Sequence, residues 1–132
     1  MRYTLLLFVF LLNTAFIFSQ SNERLSVHYF DVPQEWESDF LKFNSDVNKE
    51  LEKAGFGRDF YKVYKVKDAD EVESFRYFQI SSYTSDKHYE MTHNIGEDYD
   101  KIWDKFWDSE LGKKIFTFDE KHIYRKVYRI EN

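Results

Sequence analysis

The sequence predicts an α+β domain in which four antiparallel strands form one sheet and two helices cover one of its faces. Three observations predict this fold. Four stretches alternate apolar and polar residues, as strands do. Two other stretches repeat apolar residues every three or four positions, as amphipathic helices do. These stretches follow one another in the order strand, helix, strand, strand, helix, strand.

The N-terminus of the chain predicts a secretory signal peptide. It contains Arg2, no acidic residue, and an apolar run from 5 to 18 that ends in a polar segment. A membrane-spanning helix usually needs about 20 predominantly apolar residues, and this run is shorter. We therefore expect cleavage after about residue 20, so that 1–20 is a signal peptide and 21–132 is one exported domain, periplasmic or secreted, without a stable membrane span. An uncleaved membrane anchor is the alternative interpretation.

Composition excludes several classes of function. The formal charge is −5, and it becomes −6 when residues 1–20 and their single arginine are removed, so nucleic acid is not an expected partner. The absence of cysteine excludes disulfides, thiolate metal sites and a cysteine nucleophile. The chain has no Gly-x-Ser-x-Gly elbow and no phosphate-binding glycine loop. Ten tyrosines favour an interface or a half-wet cavity, although tyrosine is also a good strand residue.

The first strand is predicted from Arg24 to Val32. Ser26, His28 and Phe30 alternate along it with apolar partners, and Pro33 ends it where a helix can begin. The helix that follows ends at two glycines, which supply the left-handed backbone of a helix terminus. Its apolar residues form one narrow stripe: Trp36, Phe40, Phe43, Val47, Leu51 and Ala54.

Residues 59–66 and 75–84 predict an antiparallel pair of strands joined by a charged loop. Lysines along the first of them suit a strand at the edge of a sheet. A last strand is predicted over 122–130.

The segment between these strands predicts the second helix. Asn94 and Glu97 have the spacing of a capping box, so the helix is expected to begin just after His93, with residues 88–90 still in a strand. Trp107 falls at the margin of the apolar stripe, and Gly112 is expected to end or loosen the helix. The stripe itself is Ile95, Tyr99, Ile102, Trp103 and Phe106.

This order of elements is the ferredoxin-like βαββαβ plan. Two helices cover only one face of such a sheet, so the other face must meet water, a ligand or a partner. The face rich in tyrosine and histidine is the candidate for this uncovered, ligand-binding role. Its residues are His28, Tyr77, Gln79, Ser81, Tyr83, His122, Tyr124 and Tyr128.

The chain resembles the dimeric α+β barrel superfamily, and within it the small NIPSNAP-like and monooxygenase-like domains. The resemblance extends from Ser26-Val27-His28-Tyr29-Phe30 to Tyr124-Arg125-Lys126-Val127-Tyr128, and it rests on element order, length and an aromatic second helix. It contains no diagnostic motif. It implies a homodimer whose two sheets face each other, and it implies no particular catalytic residue.

The leading functional hypothesis is a ligand-binding or protein-interaction homodimer that uses the aromatic sheet face, with a small aromatic or apolar molecule as the ligand. One alternative is an oxygenase with its site in the barrel cavity, either cofactor-free or haem-dependent, with His28, His93 or His122 as the axial ligand. Another is a subunit of an envelope assembly. The sequence does not decide whether the chain is an enzyme.

His88, Glu90 and His93 form a candidate metal site, because residues 88 and 90 would point the same way on a strand. Exposed polar residues leading into a helix cap are the favoured interpretation. No metal and no resident cofactor are therefore expected.

Overall fold

The computed structural model describes residues 24–67, 74–115 and 123–128. The predicted signal peptide and His122 lie outside these residues, as do the ends of the last predicted strand. Within the described part of the chain, no helix has the length and apolar character needed to cross a membrane.

Four strands form one antiparallel sheet, which confirms the predicted fold class. They are β1 (Arg24–Phe30), β2 (Lys62–Lys65), β3 (Tyr77–Tyr83) and β4 (Ile123–Tyr128). Their spatial order is β2-β3-β1-β4, and every neighbouring pair is antiparallel. With helices following β1 and β3, this is the ferredoxin-like arrangement. The lysine-bearing β2 lies at an edge, as predicted.

The helices are α1 (Glu37–Lys53), preceded by a 3₁₀ turn over Gln34–Trp36, then α2 (Asp86–His93), α3 (Glu97–Asp108) and α4 (Glu110–Ile115). Helix α1 buries most of its predicted stripe: Phe40, Phe43, Val47 and Leu51. Phe40 packs against Phe30 of β1 with ring centroids 5.2 Å apart, and Phe43 stacks on Phe106 of α3 at 3.8 Å. These rings form the centre of the core.

Asn48 is a buried polar residue that fixes the start of the β2 segment to α1. Its side chain accepts a hydrogen bond from the Tyr61 N–H at 2.8 Å and donates one to the Tyr61 carbonyl at 2.9 Å. Asn44, one turn earlier, donates to the same carbonyl at 3.2 Å. Both main-chain groups of Tyr61 are therefore satisfied inside the core.

The region from 85 to 97 differs from the prediction. The hydroxyl oxygen of Ser85 accepts a hydrogen bond from the His88 N–H at 3.1 Å and caps α2, so residues 88–90 are helical and not a strand end. Asn94 ends α2, and its side chain donates to the Glu90 carbonyl at 2.9 Å. The predicted N-cap at Asn94 is therefore wrong. Helix α3 instead begins after Gly96, whose φ of 124° redirects the chain in a way that favours glycine.

Gly112 allows α4 to pack closely against the end of α3. A Cβ at this position would lie 2.1 Å from the Phe106 carbonyl oxygen, which is far inside van der Waals contact. The helical path already breaks at Ser109, whose backbone is extended. Gly112 thus accompanies the predicted loosening of the helix but lies within α4 and does not end it.

The predicted uncovered face of the sheet in fact faces the helices, which corrects the sequence-based assignment. Gln79 donates a hydrogen bond to Asn44 of α1 at 2.9 Å, Tyr77 stacks on the core residue Phe30, and the Tyr83 ring lies 5.0 Å from Tyr89 of α2. Both faces of β3 carry large aromatic or aliphatic side chains. Periodicity alone therefore did not decide which of them the helices cover.

The side chains on the opposite face of the sheet pack on one another. We call this face of the sheet the open face. The Phe78 ring lies 5.1 Å from Tyr64 of β2 and 6.0 Å from Tyr29 of β1. Tyr29, Tyr64 and Val127 are among the exposed large apolar side chains of the protein. The residues that define the open face are Leu25, Tyr29, Tyr64, Phe78, Ile80 and Val127.

Candidate functional site

A cavity of about 640 Å³ lies on the helix side of the sheet, where β1, β3 and β4 meet α2 and α3. This volume is within the range of about 300–1,000 Å³ that is typical of small-molecule sites. The strands contribute Ser26, His28, Gln79, Tyr83, Tyr124 and Lys126. The rest of the lining is Tyr61, Tyr89, His93, Tyr99, Asp100, Trp103, Asp104 and Trp107.

The floor of the cavity is set by the register of the strands. His28 pairs with Gln79 of β3 on one side and with Tyr124 of β4 on the other, so the three side chains lie in one row across the sheet. The His28 and Tyr124 rings are 4.6 Å apart. Ser26 lies two residues before His28 on β1, and its hydroxyl is 3.2 Å from the Tyr124 hydroxyl. The small side chain of Ser26 leaves room above the sheet.

One wall is a row of aromatic residues on α3 at four-residue spacing, which places them on one side of the helix. The Tyr99 and Trp103 rings are 6.1 Å apart, and the Trp103 and Trp107 rings are 5.8 Å apart and nearly parallel. Trp103 also packs edge-on against the core residue Phe43 at 5.0 Å. Trp107 is 45% exposed, in agreement with its predicted marginal position, and therefore lies at the rim.

Buried tyrosine hydroxyls supply polar groups to the lining. The Tyr61 and Tyr99 hydroxyl oxygens are 3.5 Å apart, and Ser81 donates a hydrogen bond to the Tyr83 hydroxyl oxygen at 2.9 Å. Burial raises the pKa of Tyr61, Tyr83 and Tyr99 above the ordinary tyrosine value. These three residues therefore stay protonated at neutral pH and act as hydrogen-bonding groups, not as phenolate bases.

His93 is held in place by the backbone of its own helix. Its Nδ1 lies 2.8 Å from the Tyr89 carbonyl oxygen, and its ring stacks on the Tyr89 ring at a centroid distance of 4.1 Å. Burial lowers the pKa of His93; the bond to the Tyr89 carbonyl opposes this shift, and the nearby Arg24 guanidinium reinforces it. The imidazole is therefore neutral at pH 7.

Arg24 packs against two of the tyrosines that line the cavity. Its guanidinium is 4.9 Å from the Tyr89 ring centroid and 5.7 Å from that of Tyr83, in the geometry of cation–π contacts. It also forms an ion pair of 2.7 Å with Asp86 at the start of α2. Arg24 thus joins β1 to α2 and places a positive charge near His93.

The structure brings together only some of the predicted site residues. His28, Gln79, Tyr83 and Tyr124 all line the cavity. Tyr77 is buried in the core instead, and Tyr128 is 66% exposed. His122 lies outside the described residues. That the lining residues bind a ligand stays a prediction.

Sequence reasoning missed most of the helical half of the lining. Tyr99 and Trp103 were predicted to belong to a buried stripe, with Trp107 at its margin, and that stripe was interpreted as core. Tyr61 and Tyr89 were not singled out, and His93 was considered only for metal or haem. The signal that could have identified this wall is the presence of two tryptophans and a tyrosine at a spacing of four, because such large rings exceed what a small core needs.

The residues considered for a metal site are separated by the helical geometry of α2. His88 accepts a hydrogen bond from the Thr84 N–H through Nδ1 at 3.1 Å and packs beside Phe56, whereas His93 lines the cavity. In the described ranges, no three or more histidine, aspartate or glutamate side chains are grouped so as to hold a metal ion.

Comparisons of the chain with known protein families, curated proteins and solved structures find no match. The fold and the cavity therefore define a class of protein only: a ferredoxin-like α+β domain with an aromatic cavity between its helices and its sheet.

Proposed function

We propose that this chain is an exported domain that binds a small, flat aromatic or apolar molecule in the cavity between α3 and the sheet. The observation that carries the proposal is the lining, in which seven of the fourteen residues are tyrosine or tryptophan and surround one space that polar side chains also line. Sites that bind small molecules combine apolar walls with a small number of placed polar groups in this way.

The aromatic walls support the proposal because their positions are fixed before any ligand arrives. The Trp103 ring packs on Phe43, Asn48 holds the main chain of Tyr61, and Asn44 holds the Gln79 side chain. A preformed cavity spares the ligand the cost of ordering side chains on binding.

Fluorescence titration with the neutral probe N-phenyl-1-naphthylamine tests the proposal. Trp36 packs beside Lys114 at 4.3 Å and does not line the cavity, so a Trp36→Phe background leaves emission from Trp103 and Trp107. We expect saturable quenching of this emission together with enhanced probe fluorescence. An absence of saturable binding would contradict the proposal.

A matched pair of variants locates the probe. Trp107 and Tyr64 are about equally exposed, at 45% and 44%, but Trp107 lines the cavity and Tyr64 lies on the open face. We expect Trp107→Ala to weaken probe binding by about tenfold, because stacking between aromatic rings contributes about 0.5–1.5 kcal/mol and apolar burial adds to it. Tyr64→Ala should leave the affinity unchanged. A larger loss with Tyr64→Ala would move the site to the open face.

We also propose that the protein forms a homodimer, now through the open face and not through the tyrosine-rich face. The supporting observation is the cluster of Tyr29, Tyr64 and Phe78, whose rings pack together while Tyr29 and Tyr64 remain largely exposed. Light scattering at tens of micromolar should give the mass of two chains, and Tyr64→Lys should give the mass of one. A monomer in the unaltered protein would exclude this assembly.

An oxygenase reaction in the same cavity is the second candidate function, and His93 is the observation that favours it. A neutral imidazole whose Nδ1 is held by a backbone carbonyl is suited to serve as an axial nitrogen ligand, so His93 fits a haem-binding role. Haem would supply the oxygen chemistry. Titration with haem should then give a Soret shift that His93→Leu abolishes and His88→Leu preserves. No shift would reject the haem-dependent version.

A further inference from the structure

We infer that His93 recognises the polar group of the ligand, and that this group is a hydrogen-bond donor, a hydroxyl or N–H carried on an aromatic frame. This inference rests on the proposed ligand-binding function and assigns the chemistry of one point in the cavity.

The hydrogen bond to the helix backbone determines which nitrogen of His93 carries the proton. A carbonyl oxygen can only accept, so the 2.8 Å contact with the Tyr89 carbonyl requires Nδ1 to donate. The neutral ring then has its lone pair at Nε2. Among the residues that the structure describes, none forms a hydrogen bond with Nε2 of His93. A half-buried acceptor in the cavity lining is therefore available to a ligand.

The groups around His93 favour this acceptor role over a cationic one. Arg24 from β1 contributes a positive charge beside the Tyr83 and Tyr89 rings, and its partner Asp86 is already engaged with it. Tyr83 from β3 and Tyr89 from α2 face the imidazole with their rings. None of these contacts places a carboxylate against the imidazole, so among them only the bond to the Tyr89 carbonyl offsets the cost of charging it in place.

The lone pair at Nε2 also restricts the class of ligand. A ligand carboxylate at this point would bring two acceptors together, whereas a neutral hydroxyl or N–H would complete a hydrogen bond. The Tyr61, Tyr83 and Tyr99 hydroxyls already interact with protein groups, whereas Nε2 has no hydrogen-bond partner among the described residues. Ring stacking on Tyr89 fixes the direction of the imidazole, so the bond would also orient the ligand.

Two probes of nearly equal shape test the inference: 2-naphthol, which carries a hydroxyl, and 2-methoxynaphthalene, in which that donor is blocked. In the Trp36→Phe background at pH 7.5 we expect 2-naphthol to bind about two- to thirteenfold more tightly, the range given by a neutral hydrogen bond of about 0.5–1.5 kcal/mol. Protonation of His93 removes the acceptor, so the preference should fall as the pH is lowered while the affinity of the ether stays constant.

Three histidine variants identify the residue that causes the preference and its pH dependence. His93→Leu should abolish the preference for 2-naphthol, whereas His88→Leu, on the same helix but outside the cavity, should preserve it. His28→Leu tests the other cavity histidine, which lies against Tyr124, and should also preserve the preference. A preference lost only in His28→Leu would overturn the assignment.

The remaining outcomes separate the inference from the proposed function. Saturable binding of both probes with equal affinity would overturn the inference and leave the binding site standing, whereas no binding of either probe would overturn both. A Soret shift that depends on His93 would assign Nε2 to haem iron instead. Circular dichroism shows whether His93→Leu folds. If it does not, the pH dependence of binding of the two probes, measured in the protein that keeps all its histidines, decides whether the inference holds.

Discussion

The two ends of β1 show how one sheet face makes both a closed core and an open cavity. At the C-terminal end, Phe30 lies against Phe40 and Tyr77 and has no exposed surface. At the N-terminal end, Ser26 and His28 point to the same side of the sheet but line a cavity of about 640 Å³. Both ends face helices, so the difference lies in the side chains and not in the architecture.

Helix α3 repeats the same contrast. Phe106 stacks on Phe43 and is buried, whereas Trp107, the next residue, is at the cavity rim. Apolar rings that interlock fill space completely, as the core requires. On the strands that face α3, the small Ser26 and the polar rings of the cavity floor do not interlock with the tryptophans. A space therefore remains between the helix and the sheet. The size and polarity of a few floor residues therefore decide where the cavity lies.

Removing a ring from the closed end should have the largest effect on stability. Phe40 has no exposed surface and Leu41, its neighbour on α1, is 46% exposed. We expect Phe40→Ala to lower the free energy of unfolding by about 3–5 kcal/mol, because it loses apolar burial and leaves a void. Leu41→Ala should cost less than about 1 kcal/mol. Urea unfolding measures both, and similar costs would show that the closed end is not the stabilising core.

A substitution at Asn48, between the core and the cavity, should lower the stability less. Asn48→Ala leaves the Tyr61 N–H buried without its partner, and we expect a loss of about 1–3 kcal/mol. Lys49→Ala is the control, because Lys49 is the next residue on α1 and its side chain makes only an exposed ion pair with Asp46. Urea unfolding should rank the two variants in this order. Equal losses would mean that Asn48 does not hold Tyr61 between the core and the cavity.

Much of the fold was predictable because α1 and the strands have clear periodicity. The stripe from Phe40 to Leu51 is buried, and the strand pairs form the predicted antiparallel sheet. The failure at α2 has a physical cause: Ser85 and Asn94 are both good capping residues, and the sequence does not state which one begins a helix. Ser85 caps α2, and Asn94 ends it.

The candidate site was harder to predict, because it depends on which sheet face the helices choose. His28, Gln79, Tyr83 and Tyr124 were grouped correctly on one face, but that face was assigned to the wrong side of the sheet. Asn44 helps to explain the choice, because its bond to Gln79 gives a buried polar side chain on β3 a partner on α1. Such a bond joins residues 35 positions apart, and no local pattern reports it.

The smallest effect is expected at the cavity end, from the titration of His93. Burial lowers its pKa in the folded protein below the ordinary value of 6.5, so between these two values the unfolded chain binds a proton that the folded chain does not. The free energy of unfolding should therefore fall as the pH drops below about 6.5, since that value is the unperturbed one.

Urea unfolding between pH 7.5 and 5 measures this effect. The free energy of unfolding should decline less steeply for His93→Leu than for the parent, because the other titrating groups are common to both proteins. Parallel curves for the parent and His93→Leu would mean that His93 titrates alike in the folded and unfolded chains, and the neutral acceptor at the cavity wall would lose its physical basis.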